Sequence, residues 1–412
     1  MGPGRCVAFV AATLCCGTVW AETTPAGRSL ADHLARGDEL LGDPGGARSA
    51  LELAGVDLRL FYNQYLSVKP SGGGANPSRV FGHSGSYDLF ARVDAEELLG
   101  WPGGSLLFHA KGQYDRGLNA DVGALSDPID DADFDSPIYV DELWLQQAFL
   151  AGRIRLRAGF SEQQTAFDRN AYANSEDRQF LSAFLDNNAV LPLPNGLAAT
   201  LMVTPTRWLG IALGVSDADN SPRSSGFDTI FDGVDSLTGH LEATLRSPLE
   251  PRGLPGDYRL GGFLDGRARR EFATGRLLRG HFGAYISLDQ RLWGAEGRAS
   301  PGVGAFARLG WADPDVNRVE WFWSLGFEWR GPLPGRTRDV IGVGTYQTIG
   351  SEAYRAAVDP RFGRETGIEF YYAIRALGWL VVTPDLQVVI DPGATGAAAD
   401  AVVGTLRVRV IF

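Results

Sequence analysis

Asp400-Ala401-Val402-Val403-Gly404-Thr405-Leu406-Arg407-Val408-Arg409-Val410-Ile411-Phe412 closes the chain. Leu406, Val408, Val410 and Phe412 fall on one face of a strand, and Arg407 and Arg409 fall on the other. A strand that ends on a bare Phe carboxylate has no later segment to pair with, and in water such an edge invites aggregation. In a membrane it serves as the closing strand of a barrel, apolar towards lipid and polar towards the lumen.

The same period recurs upstream. Leu58, Leu60 and Tyr62 alternate with Asp57, Arg59 and Asn63, and Tyr87, Leu89, Ala91 and Val93 alternate with Asp88, Arg92 and Asp94. From Val319 to Trp329, Val319, Trp321, Trp323, Leu325, Phe327 and Trp329 share one face, opposite Glu320, Ser324 and Glu328. Counting in this way predicts sixteen strands, near 56–66, 86–98, 105–116, 139–151, 153–160, 197–205, 207–216, 236–247, 257–270, 279–292, 302–312, 318–330, 338–350, 363–377, 379–391 and 400–412. Short connections (99–104, 151–153, 205–207, 331–337, 377–379) alternate with long ones (67–85, 117–138, 161–196, 217–235, 350–362). The predicted fold class is all-β: a 16-stranded antiparallel transmembrane β-barrel with short periplasmic turns and long extracellular loops.

Composition fits. Glycine is 53 of 412 residues against a usual ~7%, and aromatic residues reach 11%. The net charge of −11 argues against nucleic-acid binding. Residues 1–21 read as a signal peptide, with Arg5 before an apolar run and Ala21 at the cleavage point. Cys6, Cys15 and Cys16 all lie within it, so the remaining chain has no thiol for a disulfide or a metal. Residues 22–55 read as a periplasmic helical lead, with helical spacing at 29–36 and 47–53. Roughly 34 residues cannot plug a 22-stranded transporter. The barrel then occupies 56–412.

Three blocks resemble the carbohydrate-selective porin family of Gram-negative outer membranes, the OprB-like porins. They are Leu40-Leu41-Gly42-Asp43 through Leu58, Gly85-Ser86-Tyr87-Asp88 through Gly104, and Glu365-Thr366-Gly367-Ile368-Glu369-Phe370-Tyr371-Tyr372 through Pro392-Gly393 and the terminal strand. The resemblance implies a sixteen-stranded barrel in the outer membrane and passive diffusion of small sugars, without chemistry. A general or acid-selective porin is the nearest alternative, and a non-conducting or enzymatic barrel is the next. Outer-membrane lipid, and the barrel-assembly machinery acting through Phe412, are the expected macromolecular partners.

Charged residues on the polar face are the candidate lumen set. Arg153, Arg155 and Arg157 form an expected ladder, joined by Lys111, Arg92 and Arg59 and opposed by Asp88, Asp94, Glu142, Glu320 and Glu369. Guanidinium forks donate several hydrogen bonds to sugar hydroxyls. The long connection 161–196 is predicted to fold inward as a constriction, presenting Asp168, Arg169, Asp177 and Arg178 together with aromatic faces for sugar C–H surfaces. Asp131, Asp133, Asp135 and Glu142 match calcium-loop spacing, but Ser136 stands where glycine is needed, so a solvated acidic loop is expected and no metal. No phosphate loop or dinucleotide fingerprint is present, and no cofactor or catalytic residue is expected.

Overall fold

The computed structural model describes residues 37–74, 76, 78–193, 195–218, 236–247, 254–294 and 300–412. The signal peptide and the helical spacing at 29–36 lie outside the described residues, as does most of the 217–235 connection. Sixteen strands close into one antiparallel barrel. They are β1 (Val56–Gly73), β2 (Phe81–Asp94), β3 (Gly104–Arg116), β4 (Ser136–Phe149), β5 (Ile154–Glu162), β6 (Asn195–Thr206), β7 (Leu209–Asp217), β8 (Leu237–Ser247), β9 (Gly256–Arg270), β10 (Leu277–Gly294), β11 (Gly302–Ala312), β12 (Val319–Arg330), β13 (Val340–Gly350), β14 (Arg364–Arg375), β15 (Leu380–Ile390) and β16 (Ala399–Ile411). Each strand pairs with its sequence neighbours, and β16 returns to β1 with Tyr65 opposite Arg407 and Tyr62 opposite Val410. Closure leaves no unpaired edge, which is what the terminal strand required. Among the described residues no helix is long and apolar enough to cross a membrane.

Alternation sets the two faces. Leu406 is exposed while Arg407 and Arg409 are buried inside. Trp311 and Trp321 sit at one end of the outer surface, and Trp293 and Trp329 sit at the other. Eight residues separate Trp321 from Trp329, about 26 Å of strand before tilt, the scale of an apolar band flanked by aromatic girdles.

Two departures from simple alternation have local causes. β1 and β2 continue through much of the stretch expected as the loop 67–85. Inward polar side chains there are satisfied within the barrel: Ser67 Oγ lies 3.0 Å from Thr405 Oγ1, and the Lys69 ammonium donates to the Gly72 carbonyl at 2.8 Å. In β12, a register shift at Glu320 turns Val319 into the core while Trp321 faces out.

Helix α1 (Ala47–Leu53) precedes β1 at the end of the barrel where β16 finishes. Asp43 accepts from the Arg48 and Ser49 amides, satisfying donors of its first turn. The segment before it is tied to the terminal strand: Leu40 N–H donates to the Ile411 carbonyl at 2.7 Å, and Arg48 donates to the Phe412 carbonyl at 3.0 Å. Helix α2 (Ala95–Leu99) fills the β2–β3 turn and is capped by Asp94, which accepts from the Glu96 and Glu97 amides.

Candidate functional site: a lumen crossed by one loop

Residues 163–193 leave the outer end of β5 and run inside the barrel. A loop in this position has backbone donors but no sheet partner, so the wall must supply acceptors. Carboxylates do so. Glu242 on β8 accepts the Asp168 amide at 2.8 Å. Glu369 on β14 accepts the Leu181 and Ser182 amides at 2.6 and 3.0 Å. Glu365 does the same for the neighbouring 117–135 loop, accepting the Leu125 and Ser126 amides at 2.6 and 3.1 Å. The two loops then bond each other, Asp130 N–H to the Leu181 carbonyl and Ala183 N–H to the Asp127 carbonyl, both at 3.0 Å.

Arginines bind the loop's carbonyls. Arg308 on β11 donates to the carbonyls of Leu185 (2.9 Å) and Asp168 (3.3 Å) and to Ala173, and its Nε lies 3.0 Å from the Asp168 carboxylate. Arg407 donates to the Glu176 and Gln179 carbonyls, each at 3.0 Å, and Arg409 pairs with the Asp177 carboxylate. The two arginines that mark the polar face of the last strand therefore clasp the loop tip.

Between root and tip the loop packs on the β9–β14 wall. Phe180, Leu185 and Tyr172 join Phe263, Phe306, Phe322, Tyr346 and Tyr371 in one buried cluster. Wall glycines make the room: a Cβ on Gly304 would sit 2.0 Å from the Tyr172 ring. The loop aromatics expected to face sugars are thus spent on packing, with Phe167, Tyr172 and Phe180 all buried. Lumen aromatics elsewhere carry other partners. Arg157 lies over Trp144 at 4.2 Å, Arg409 over Phe61 at 4.4 Å, and His109 stacks on Phe90 at 3.8 Å.

The opposite wall, β2–β5, stays open and charged. His109 is held between Asp88 (2.9 Å) and Asp141 (3.1 Å), and Lys111 is held between Asp131 (2.9 Å) and Glu176 (2.6 Å). Asp141 reaches the lumen beside Glu142 because a bulge in β4 sets both on the inside. At Gly159, φ is +136° and a Cβ would lie 2.4 Å from the Leu143 carbonyl. Phe160 after it lines the outer cavity instead of facing lipid.

The predicted site residues divide accordingly. Arg59, Arg92, Lys111, Asp88, Glu142, Arg155, Arg169, Asp177 and Arg178 line the internal cavities. Arg157 faces inward on Trp144 and donates to Thr165 Oγ1 at 2.7 Å. The ladder has two rungs, since Arg153 sits exposed in the turn before β5. Asp94 is a helix cap, and Glu320 lies at the β12 bulge, where the Trp321 indole donates to it at 3.2 Å. Glu369 and Asp168 are buried anchors of the loop. The calcium-spaced carboxylates diverge: Asp131 pairs with Lys111, Asp135 with Arg116 at 2.7 Å, and Glu142 accepts from Trp144 at 2.8 Å. Arg308, Arg407, Arg409, Asp141 and Glu242 were not in the predicted set, although strand parity alone marks Arg407 and Arg409 as inward.

Burial tunes the loop carboxylates. It pushes Asp168 up to about 6, the Arg308 guanidinium offsetting only part of the cost. Asp186 is pushed up to about 6 for the same reason. Asp130 is raised well above the carboxylate range by burial and by the nearby Asp186. Burial opposes ionisation of Asp177 too, but Arg409 and Arg178 outweigh it and hold the group below its ordinary value.

Comparison with known proteins agrees with this architecture. The family model for the carbohydrate-selective porins, OprB family, matches residues 79–412. Porin B of Pseudomonas aeruginosa is 23% identical over 416 residues, covering 90% of this chain and 91% of that protein. The high-pH structure of Pseudomonas putida OprB superposes with a TM-score of 0.82 at 20% identity, over 92% of this chain and all of that one. The outer-membrane channel DcaP of Acinetobacter baumannii gives 0.52 at 8% identity, over 87% and 97%.

Proposed function

Because the chain belongs to the carbohydrate-selective porin family, a sugar-preferring porin of the Gram-negative outer membrane, we propose that residues 163–193 are its constriction and the β2–β5 wall its sugar path. The observation that carries this reading is the clasp. Arg407 and Arg409 hold the loop tip from β16 while Glu242, Arg308 and Glu369 hold its root and return, so the segment spans the lumen at fixed height. Open space remains beside it, lined by Asp88, Lys111, Glu142 and Arg178 along β2–β5 and by Arg155 and Arg169 in a smaller volume against β5–β9. These groups exchange a sugar's water for hydrogen bonds at weak successive sites, so the sugar enters and also leaves.

The family and its relative Porin B are porins, and this reading gives the barrel no chemical step. His109, His240 and His281 are engaged by Asp88, the Pro192 carbonyl and Asp265. Lipid contacts the apolar outer face, and Phe412, whose amide donates to the Leu60 carbonyl at 3.0 Å, is the group the assembly machinery reads.

Liposome swelling with purified refolded protein tests the reading, comparing glucose, a disaccharide and an amino acid of glucose's size. Faster entry of glucose than of the amino acid is expected. Equal rates would make the channel a general porin, and no swelling by a folded barrel would end the channel reading.

A further inference from the structure

Three volumes stand out in the interior among the described residues. The largest, ≈ 680 Å³, lies against β2–β5 and reaches outward to Gln113, Phe134 and Tyr139. A second, ≈ 590 Å³, lies against β12–β16 and β1 and reaches Arg338, Arg375 and Ile411 at the periplasmic end. A third, ≈ 280 Å³, opens between Arg155 and Arg259 near the same end. The first two share Phe61, Asn174, Ser175, Asp177, Arg178 and Arg409. The outer and inner volumes therefore meet at the loop tip, and a solute crossing the barrel visits both.

Their charges are opposite. The outer chamber presents ten carboxylates against five basic side chains, His109 included. Setting aside Asp130, Glu162 and Glu176, whose charge burial opposes most, still leaves seven carboxylates against five basic side chains. The inner chamber presents seven arginines against four carboxylates, and the third volume four arginines against two. The junction is the alternating trio Asp177, Arg178 and Arg409, with the Arg178 side chain mostly exposed.

We infer that the lumen is a bipolar filter: an acidic chamber and an arginine-rich chamber in series, which reject ions of opposite sign and leave neutral polyhydroxyl solutes as the substrate class. The inference rests on the porin reading above and supplies its basis for selectivity. A cleft with an excess of one sign of charge carries a potential of that sign. The screening length is about 10 Å at 0.1 M salt, close to the width of a chamber, so each keeps its own sign. A uronate is repelled in the outer chamber, and an amino sugar's ammonium in the inner one. Glucose meets neither barrier and still finds donors and acceptors throughout. A second consequence concerns ion current. When cations are driven inward through the acidic chamber and anions outward through the basic one, both collect at the junction and it conducts. The reverse polarity empties the junction.

The test uses the refolded barrel in planar bilayers and in liposomes. In 0.1 M KCl the current at equal and opposite voltages is expected to differ by about twofold or more, and the asymmetry should fade in 1 M KCl, where screening shortens to about 3 Å. Glucose should enter liposomes several-fold faster than either glucosamine or glucuronate. The Arg338→Gln, Arg375→Gln double variant should flatten the current–voltage curve and speed glucosamine. Asp133→Asn, made in the other chamber at an exposed position, should instead speed glucuronate, and it serves if the double variant fails to fold. A conducting channel with a linear curve at 0.1 M, or charged sugars entering as fast as glucose, overturns the bipolar filter and leaves the porin intact. A folded barrel with neither current nor swelling removes both.

Discussion

The two walls of this barrel treat the lumen in opposite ways. Along β9–β14 the wall is dry: Phe306, Phe322, Tyr346 and Tyr371 face inward and bury the loop's Phe180 and Leu185. Along β2–β5 the wall is wet, and its inward residues are Asp88, His109, Lys111, Asp141 and Glu142. Both walls obey the same period-two rule, with apolar residues towards lipid. What differs is how the inward face meets the loops: by apolar packing on one wall, and on the other by ion pairs such as those of Lys111 with Asp131 and Glu176. The inserted segment packs against the middle of β9–β14 and leaves the space along β2–β5, and the inner volume beyond the loop tip, as the passage, so pore width is set by where the loop lies. The comparison can be broken by releasing the loop from the dry side or sharpened by changing charges on the wet side.

Arg308 is the strongest point of attachment. Its side chain is buried and serves the Leu185, Asp168 and Ala173 carbonyls and the Asp168 carboxylate together. Arg308→Leu leaves those acceptors, including a buried carboxylate, unpaired, a loss of about 3–5 kcal/mol. The dry wall should then come to resemble the wet one: single-channel conductance rises several-fold and trypsin cuts after Arg178. Unchanged conductance in a folded barrel would mean that the aromatic cluster alone holds the loop. Glu369→Ala removes the acceptor of two buried amides, costing about 2–6 kcal/mol at about 1–3 per unpaired group. It should free the Leu181–Ser182 return and raise conductance less than Arg308→Leu does.

The difference between the walls was only half legible in the sequence. The alternation from Val319 to Trp329, and that of the terminal strand, identified which face meets lipid, because membrane and water impose one periodic demand on every strand. Nothing periodic distinguishes an inward Tyr346 that packs a loop from an inward Asp88 that meets water, since both satisfy the same parity. The loop itself was visible through its length and its Phe180–Leu185 run. Its anchors were not, because Glu242, Arg308 and Glu369 are distant in sequence and gain their roles only on closure. Arg153 and Glu320 depart from the strand pattern for local reasons: Arg153 lies in the turn at Leu150–Arg153, and a bulge in β12 falls at Glu320.

Acidity gives a further way to vary the dry side without changing its residues. Asp168 and Asp186 have folded values of about 6, above the unfolded 3.8. A carboxyl with a raised folded value binds protons more tightly in the folded state. Stability from these groups is therefore fully present below pH 3.8 and is lost as pH rises through about 6. Each unit of difference is worth about 1.4 kcal/mol. The heat-modification midpoint of the refolded barrel should fall between pH 4 and pH 7, and Asp168→Asn with Asp186→Asn should reduce that fall. An equal fall in the double variant would assign the pH dependence to other groups.

The smallest effects belong to the two charges that project into water from the loop. Arg178 is 68% exposed at its side chain and pairs with Asp177 at 3.3 Å, and Arg169 lines the volume beside Arg155 and Arg259. Neither carries a packing role comparable with that of Arg308. Exposed pairs of this kind are worth about 0–1 kcal/mol, so Arg178→Gln and Arg169→Gln should leave the melting midpoint in place. Their effect is on passage. Glutamine keeps a donor and an acceptor for hydroxyls and removes only the charge, so glucose entry should stay within about twofold while the ratio of anion to cation permeability falls. If glucose entry instead dropped tenfold with stability unchanged, the guanidinium forks themselves would be sugar contacts, and the wet wall would act as a binding site more than as a passage.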